Sequence, residues 1–424
     1  MLIFDAHESN VRSYCRSFQD VFVSAKNDIM YAESGKAYID FFAGAGALNY
    51  GHNDEYIKQC LIRYLESDGV THGLDMYTDT KRLFIDKFVR GILNPRGLEY
   101  KLQFCGTTGT NAVEAALKLA RKVKQRSSVF SFMGGFHGMS LGSLAATSNR
   151  SSREGAGLPL EHVTFMPYPF GYMDTFDTLQ YMENVLNDDH SGIDKPAAVI
   201  FETVQAEGGI VPVTPEWMRG LADLCARHDI LLICDDIQVG CGRTGTFFSF
   251  ERAGIAPDMV TLSKSISGYG LPMSLLLMKP EHDIWSPGEH NGTFRGNQTA
   301  FIAATAALEL REQIDMDRVV LEKEAIIREA LGRFEAEFGS RIAVRGIGMI
   351  WGVDLAGLGD PDLSLKIVGE CFERGLILER VGRNDSVIKI MPPLTVDPDN
   401  LRRGLDILYG AMLEHIAEHS KAGA

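Results

Sequence analysis

Seven short apolar runs punctuate the middle of the chain, at residues 102–105, 128–132, 162–166, 197–202, 230–235, 259–263 and 274–278. Most are continuous and do not alternate with polar residues, which is the pattern of strands buried on both faces of a mainly parallel sheet. Helical spacing of apolar positions fills gaps between them, at 111–125 and 215–228. Strand alternating with helix predicts an α/β layered unit. The last third changes character. Long helices are predicted at 299–313 and 317–338, further elements at 341–355 and 362–374, and a strand pair around 376–378 and 387–390. A closing helix is expected at 398–419. This part reads as a smaller α+β unit, and the strand-like segment 31–42, built around Glu33-Ser-Gly35, is expected to pack with it.

Composition narrows the classes. The 424 residues are 45% hydrophobic and 23% charged, which excludes a disordered chain or a low-complexity fibre. The net charge of −14 argues against a nucleic-acid partner, which would need clustered Lys and Arg. The densest basic run, Lys118 to Arg126, has helical spacing and reads as a solvated helix face. No apolar run approaches the ~18 residues of a membrane span. The first 14 residues carry Asp5, His7, Glu8 and Arg12, unlike a secretory leader. Seven cysteines, an odd number without a Cys-x-x-Cys pair, predict neither a disulfide framework nor a metal site. A reduced, cytoplasmic setting is expected.

Polar residues at the ends of the apolar runs carry the candidate chemistry, because ligands of open α/β sheets bind beyond the carboxyl ends of the strands. After 102–105 comes a loop of small and hydroxyl residues, Gly106 to Thr110, then a helix. That arrangement suits a phosphate, and Asn111 with Glu114 resembles a capping box. An ordinary capped helix has the same signature. After 128–132, glycines surround Phe136 and His137. They suit an aromatic held in an open loop, or equally a core Phe with a partnered His. Asp235 and Asp236 end the run 230–235. A carboxylate there needs a cation, a proton donor or a helix cap, since burying it alone is expensive. Lys264 stands where 259–263 meets the small-residue loop Ser263 to Pro272. Desolvation would free its amine for reaction with a carbonyl, although a snorkelling Lys looks similar. Together these residues supply what pyridoxal 5'-phosphate requires: a phosphate cradle, a ring platform, an acid for the ring nitrogen and an amine for the aldehyde.

Longer stretches sharpen this. Glu202-Thr-Val-Gln-Ala-Glu207, Asp235-Asp-Ile-Gln238, Ser263-Lys264 and Gly288-Glu-His-Asn-Gly-Thr293 resemble the class III aminotransferases of fold type I, over nearly the whole chain. Within that class, stretches such as Phe41–His52 and His72–Met76 are similar to the branch that exchanges amino groups between 2,4-diaminobutyrate and 2-oxoglutarate in ectoine biosynthesis.

The resemblance implies a large domain, 48–311, with a mainly parallel seven-stranded sheet, and a small domain formed by 1–47 and 312–424. It implies pyridoxal 5'-phosphate as cofactor, with Lys264 bonded to the cofactor aldehyde and Asp235 paired with the ring nitrogen. Gln238 is expected near the ring hydroxyl, Phe136 on the ring with His137 beside it, and Gly109 and Thr110 on the phosphate. Thr293 would reach the cofactor phosphate of a neighbouring subunit in a homodimer or a dimer of dimers. Glu202 and Glu207 occupy the family's acidic positions, the second a gate between substrates; Thr203 and Ala206 depart from the residues usual beside them. The 2-oxoglutarate carboxylate is expected on Lys389, where many relatives carry Arg, or on Arg295. The implied partners are small amino and keto acids. Other terminal amines, such as ornithine, acetylornithine or 4-aminobutyrate, remain alternative substrates at this stage, as does diaminobutyrate supply for a siderophore or peptide antibiotic.

Overall fold

The computed structural model describes residues 2–169 and 176–422. Its centre is a seven-stranded sheet, and each strand lies on one of the seven apolar runs. These are β1 Lys101–Phe104, β2 Val129–Phe132, β3 Val163–Met166, β4 Ala198–Phe201, β5 Leu231–Asp235, β6 Met259–Leu262 and β7 Leu275–Met278. The order across the sheet is β1-β7-β6-β5-β4-β2-β3. Six strands run parallel, and β7 is antiparallel to both its neighbours, β6 and β1.

Continuous apolar runs arise because both faces of this sheet are covered. Leu231 and Ile233 of β5 pack with Ala112, Val113, Ala116 and Leu119 of helix α1, Gly109–Lys124. Leu232 and Cys234 point to the other face and join a core with Trp217 and Leu221 of helix α2, Pro215–Arg227, and with Phe84, Phe88 and Phe301. Side-chain direction alternates along a strand, so Asp235 falls on the α1 side with Leu231 and Ile233.

Helix α3, Gln298–Gln313, and α4, Met316–Phe338, follow, and α5, Pro398–Ala422, closes the chain. The expected N-terminal pairing is present: Ile29–Ala32 and Ala37–Asp40 join a four-stranded sheet with Phe22–Lys26 and with Leu376–Ile377, where Leu376 pairs with Ile39. A second four-stranded sheet takes Ala343–Ile347, Ile350–Asp354, Glu379–Val381 and Val387–Ile390. Among the described residues no helix is long and apolar enough to cross a membrane.

Candidate active site

The carboxyl ends of β2, β4, β5 and β6 converge with the start of α1 on a cavity of about 380 Å³. Gly109, Thr110, Phe136, His137, Glu202, Glu207, Asp235, Gln238 and Lys264 all line it. These nine were singled out along the sequence across more than 150 positions, and one cleft collects them.

Helix α1 begins at Gly109, two residues earlier than its apolar spacing implies. Its capping box is Thr108 with Asn111, whose Oδ1 accepts the Thr108 N–H at 3.2 Å; the expected pair of Asn111 and Glu114 does not form. Glu114 lies a further turn into the helix. It accepts instead from the Gly142 and Ser143 N–H groups at the start of the next helix, Leu141–Ala146, at 2.8 and 3.1 Å. Gly109 and Thr110 therefore occupy the first turn, where backbone N–H groups lack intrahelical acceptors and favour an anion. The Thr110 hydroxyl is tied to those of Ser140 and Ser143. Gly138, at φ 127°, lies against Thr110 so closely that a side chain there would strike it.

Asp235 ends β5 and is buried. Its Oδ2 meets His137 Nδ1 at 2.6 Å, and its Oδ1 accepts from the Thr261 hydroxyl at 3.1 Å and the Ile237 N–H at 3.2 Å. Burial pulls the His137 imidazole down, but the hydrogen bond and charge of Asp235 outweigh it, so the net shift is upward. Glu202 accepts the Phe136 N–H at 2.9 Å and orders that loop. Burial pushes its carboxyl up to about 8, against the pull of His137. Neighbouring Asp236 faces away from the cavity. It binds the Ser249 hydroxyl and N–H, and burial lifts its carboxyl to about 7.

Lys264 follows β6 at φ 53°, a left-handed backbone that costs a residue with a Cβ about 1–2 kcal/mol. Surrounding hydrogen bonds hold it there. The next residue, Ser265, donates its hydroxyl to Gly46 O at 2.6 Å and accepts the Asn49 N–H at 3.1 Å. The run Ala43 to Gly46 is itself left-handed, and Ala45 O takes the Gln238 amide at 3.0 Å. Burial lowers the Lys264 ammonium below its usual range, although Glu207 opposes the shift.

The far wall is a charge cluster. Lys389 is fully buried, with Nζ 2.9 Å from Glu207 and 2.6 Å from Glu379. Burial would lower its ammonium, but the two carboxylates outweigh this and raise it. Glu379 was not singled out from sequence. The signal was Lys389 itself, a charge inside the apolar run Val387–Ile390 that demands a partner on the adjacent strand. Glu379 is its cross-strand neighbour. The Tyr14 hydroxyl also senses this cluster; burial first, then Glu379 and Glu207, push it up to about 12.

Thr293 and Arg295 are not brought into the cleft within one chain. Thr293 is exposed on its loop. Arg295 donates to Phe104 O at 3.2 Å and to Asn291 at 2.9 Å, and lines a different cavity with Leu102, Phe104 and Trp285.

This geometry, a strand-end lysine and a strand-end carboxylate on one cavity with a helix N-terminus, coincides with a family match over almost the whole chain. The model of the family described as aminotransferase class-III matches residues 15–412. The chain is a class III aminotransferase. Diaminobutyrate–2-oxoglutarate transaminase of Bordetella parapertussis is 52% identical to it over 422 residues, covering 99% of this chain and 97% of the relative. The protein of the same name from Streptomyces avermitilis is 54% identical over 415 residues, 97% of each chain. Among solved structures, an ornithine aminotransferase from Toxoplasma gondii shares the fold, with TM-score 0.84 at 23% identity over 99% of this chain and 95% of that one.

Pyridoxal 5'-phosphate is the cofactor of this aminotransferase, and the residues present fit it. The α1 N-terminus suits the phosphate, and Asp235 suits a protonated ring nitrogen. Gln238 Oε1 is buried without a hydrogen-bond partner, as an acceptor awaiting a ligand hydroxyl would be. Phe136 and Ile237 supply apolar walls.

Proposed function

We propose that this aminotransferase exchanges amino groups between L-2,4-diaminobutyrate and 2-oxoglutarate. Net flow would run from L-aspartate 4-semialdehyde and L-glutamate to L-2,4-diaminobutyrate and 2-oxoglutarate, in the cytoplasm and as a step towards ectoine. The observation that carries the chemistry is the Lys264 amine and the Asp235 carboxylate on one cavity. The substrate rests on the two relatives described above, more than half identical over almost their full length.

When bound, pyridoxal 5'-phosphate supplies an aldehyde that captures the amino group and a ring that absorbs electron density from the reacting carbon. The chain's own groups do the rest. Lys264 is the catalytic residue: its burial favours the neutral amine, which removes the proton from the substrate carbon and returns one in the reverse half. Asp235 is the second, keeping a ring nitrogen protonated while His137 and Thr261 hold its carboxylate in place. Gly109 and Thr110 would hold the phosphate from the first turn of α1, and Gln238 would take the ring hydroxyl. Glu202 fixes the Phe136 loop. Glu207 faces the substrate end, where Lys389 is already engaged by two carboxylates.

We assign 48–311 to a large domain and 1–47 with 312–424 to a small one, supported by the pairing of Leu376 with Ile39. We also assign a homodimer in which Thr293 reaches the partner's cofactor phosphate. In support, large apolar side chains stand exposed beside its loop: Phe294 at 66%, Met76 at 56% and Tyr77 completely. His72 packs edge-on against Phe294.

A panel of amino donors assayed for glutamate formation from 2-oxoglutarate tests the substrate. 2,4-Diaminobutyrate is expected to be the best donor. A wide margin in favour of ornithine or 4-aminobutyrate would overturn the assignment.

A further inference from the structure

One ammonium and two carboxylates cluster where Glu207 lines the cavity. Lys389 has no exposed side-chain surface, Glu379 is 14% exposed and Glu207 is 32% exposed. Only Glu207 of the three lines the cofactor cavity, and it also lines an adjoining cleft with Arg150, Arg380 and Arg383. Lys264 is a further cation, whose charge both carboxylates sense. Burial pulls both carboxyls up; Lys389 and Lys264 outweigh it at Glu207, which is lowered, whereas Glu379 stays raised. Glu207, the member of the cluster that lines the cavity, is then the carboxylate that a ligand cation can reach.

The arrangement also settles which carboxylate can turn. If Lys389 had Glu207 alone, moving Glu207 towards a ligand would strand a buried ammonium. Glu379, its cross-strand neighbour, keeps Lys389 paired whatever Glu207 does. Each group then has a separate task. We propose that Glu207 receives a non-reacting ammonium of the amino donor, and that Glu379 is the positioning residue that frees Glu207 for it by holding Lys389. The site would thereby select diamino acids over amino acids of the same length with a single terminal amine. This rests on the reading of the chain as an aminotransferase for a diamino donor and extends it to the residues that recognise the second amine.

Matched donors isolate that amine. 2,4-Diaminobutyrate and 4-aminobutyrate differ only by the ammonium at C2, and so do ornithine and 5-aminopentanoate. The experiment compares kcat/KM for both pairs, with 2-oxoglutarate as acceptor, in the wild-type holoenzyme and the variants Glu379→Gln, Glu379→Asp and Glu207→Gln. Loss of one charge-assisted hydrogen bond corresponds to roughly tenfold. Glu379→Gln is therefore expected to lose about tenfold or more of the preference for the diamino member. The loss should appear in KM, with kcat for 4-aminobutyrate changed less than about twofold, and Glu379→Asp should restore most of the preference. Glu207→Gln retains the Lys389–Glu379 pair and should lose the same preference; it decides the matter alone if Glu379→Gln fails to fold. An unchanged ratio in either variant, or an equal loss for both members of each pair, overturns the proposal. An effect in both pairs when 2,4-diaminobutyrate is not the best donor upholds the ammonium recognition and removes only the substrate assignment.

Discussion

Two lysines serve the cleft, Lys264 half-buried in its lining and Lys389 fully buried behind Glu207, and desolvation leaves them with opposite properties. At the end of β6, Lys264 has no carboxylate within ion-pair distance among the described residues, and desolvation takes its ammonium below the usual range. On the strand Val387–Ile390, Lys389 meets Glu207 and Glu379 at 2.9 and 2.6 Å, and the ammonium is raised. Desolvation is the largest influence on both. What separates them is the partner count, so burial alone does not make a lysine reactive. One is poised to share a proton, while the other is a fixed charge that orders its neighbours.

Asp235 shares the cavity with Lys264, and removing it should have the largest effect. Asp235→Ala is expected to lower kcat by about 10³-fold or more, because the ring nitrogen loses its stabilising charge. The thermal midpoint should change little in comparison. Near-normal turnover would remove its assigned role.

Lys389→Met should act mainly on stability. It leaves two carboxylates in the wall without a cation, and breaking a buried ion pair costs about 3–5 kcal/mol. Chemical denaturation should show a loss of that order, and Lys389→Arg a much smaller one. A destabilisation by Lys389→Met of under about 1 kcal/mol would mean that the cluster is not the fixed charge described.

A smaller effect concerns Glu202. Its carboxyl ordinarily titrates near 4.5 and is raised to about 8 by burial. Below 4.5 it is protonated in both folded and unfolded chains. Between 4.5 and about 8 the unfolded chain releases the proton that the folded one keeps, so the stability it contributes falls as pH rises and is fully lost above that window. Glu202→Gln does not titrate. The midpoint of the variant relative to wild type should therefore climb from pH 4.5 to about 8 and then level. A constant difference would show that Glu202 is ionised in the cleft.

Much of this was legible in the chain. Continuous apolar runs located all seven strands because helices cover both faces of the sheet, which removes the need for alternation. Asp235 and Lys264 stood out because a charge at the end of such a run requires a reason. The signal failed where the partner is distant in sequence or ordinary in context. Glu379 sits in Leu378-Glu-Arg-Val381, a stretch that reads as a half-exposed edge, and only strand pairing brings it to Lys389. Thr261 looks like a common β-branched residue within β6, yet its hydroxyl supports Asp235. Glu114 suggested a cap for its own helix and caps another instead, because a side chain one turn in reaches across the gap between helices. The left-handed run Ala43 to Gly46 contains two alanines, which rarely adopt that backbone, and its hydrogen bonds to Gln238 and Ser265 reveal why it is held there.

The central claim is that Lys264, and not Lys389, is the amine that reacts. Borohydride treatment of the yellow holoenzyme followed by peptide mass spectrometry reads this directly. The phosphopyridoxyl group is expected on the peptide carrying Lys264, with Lys389 unmodified. Label on Lys389, or no stable label on any lysine after full reduction, would contradict the account.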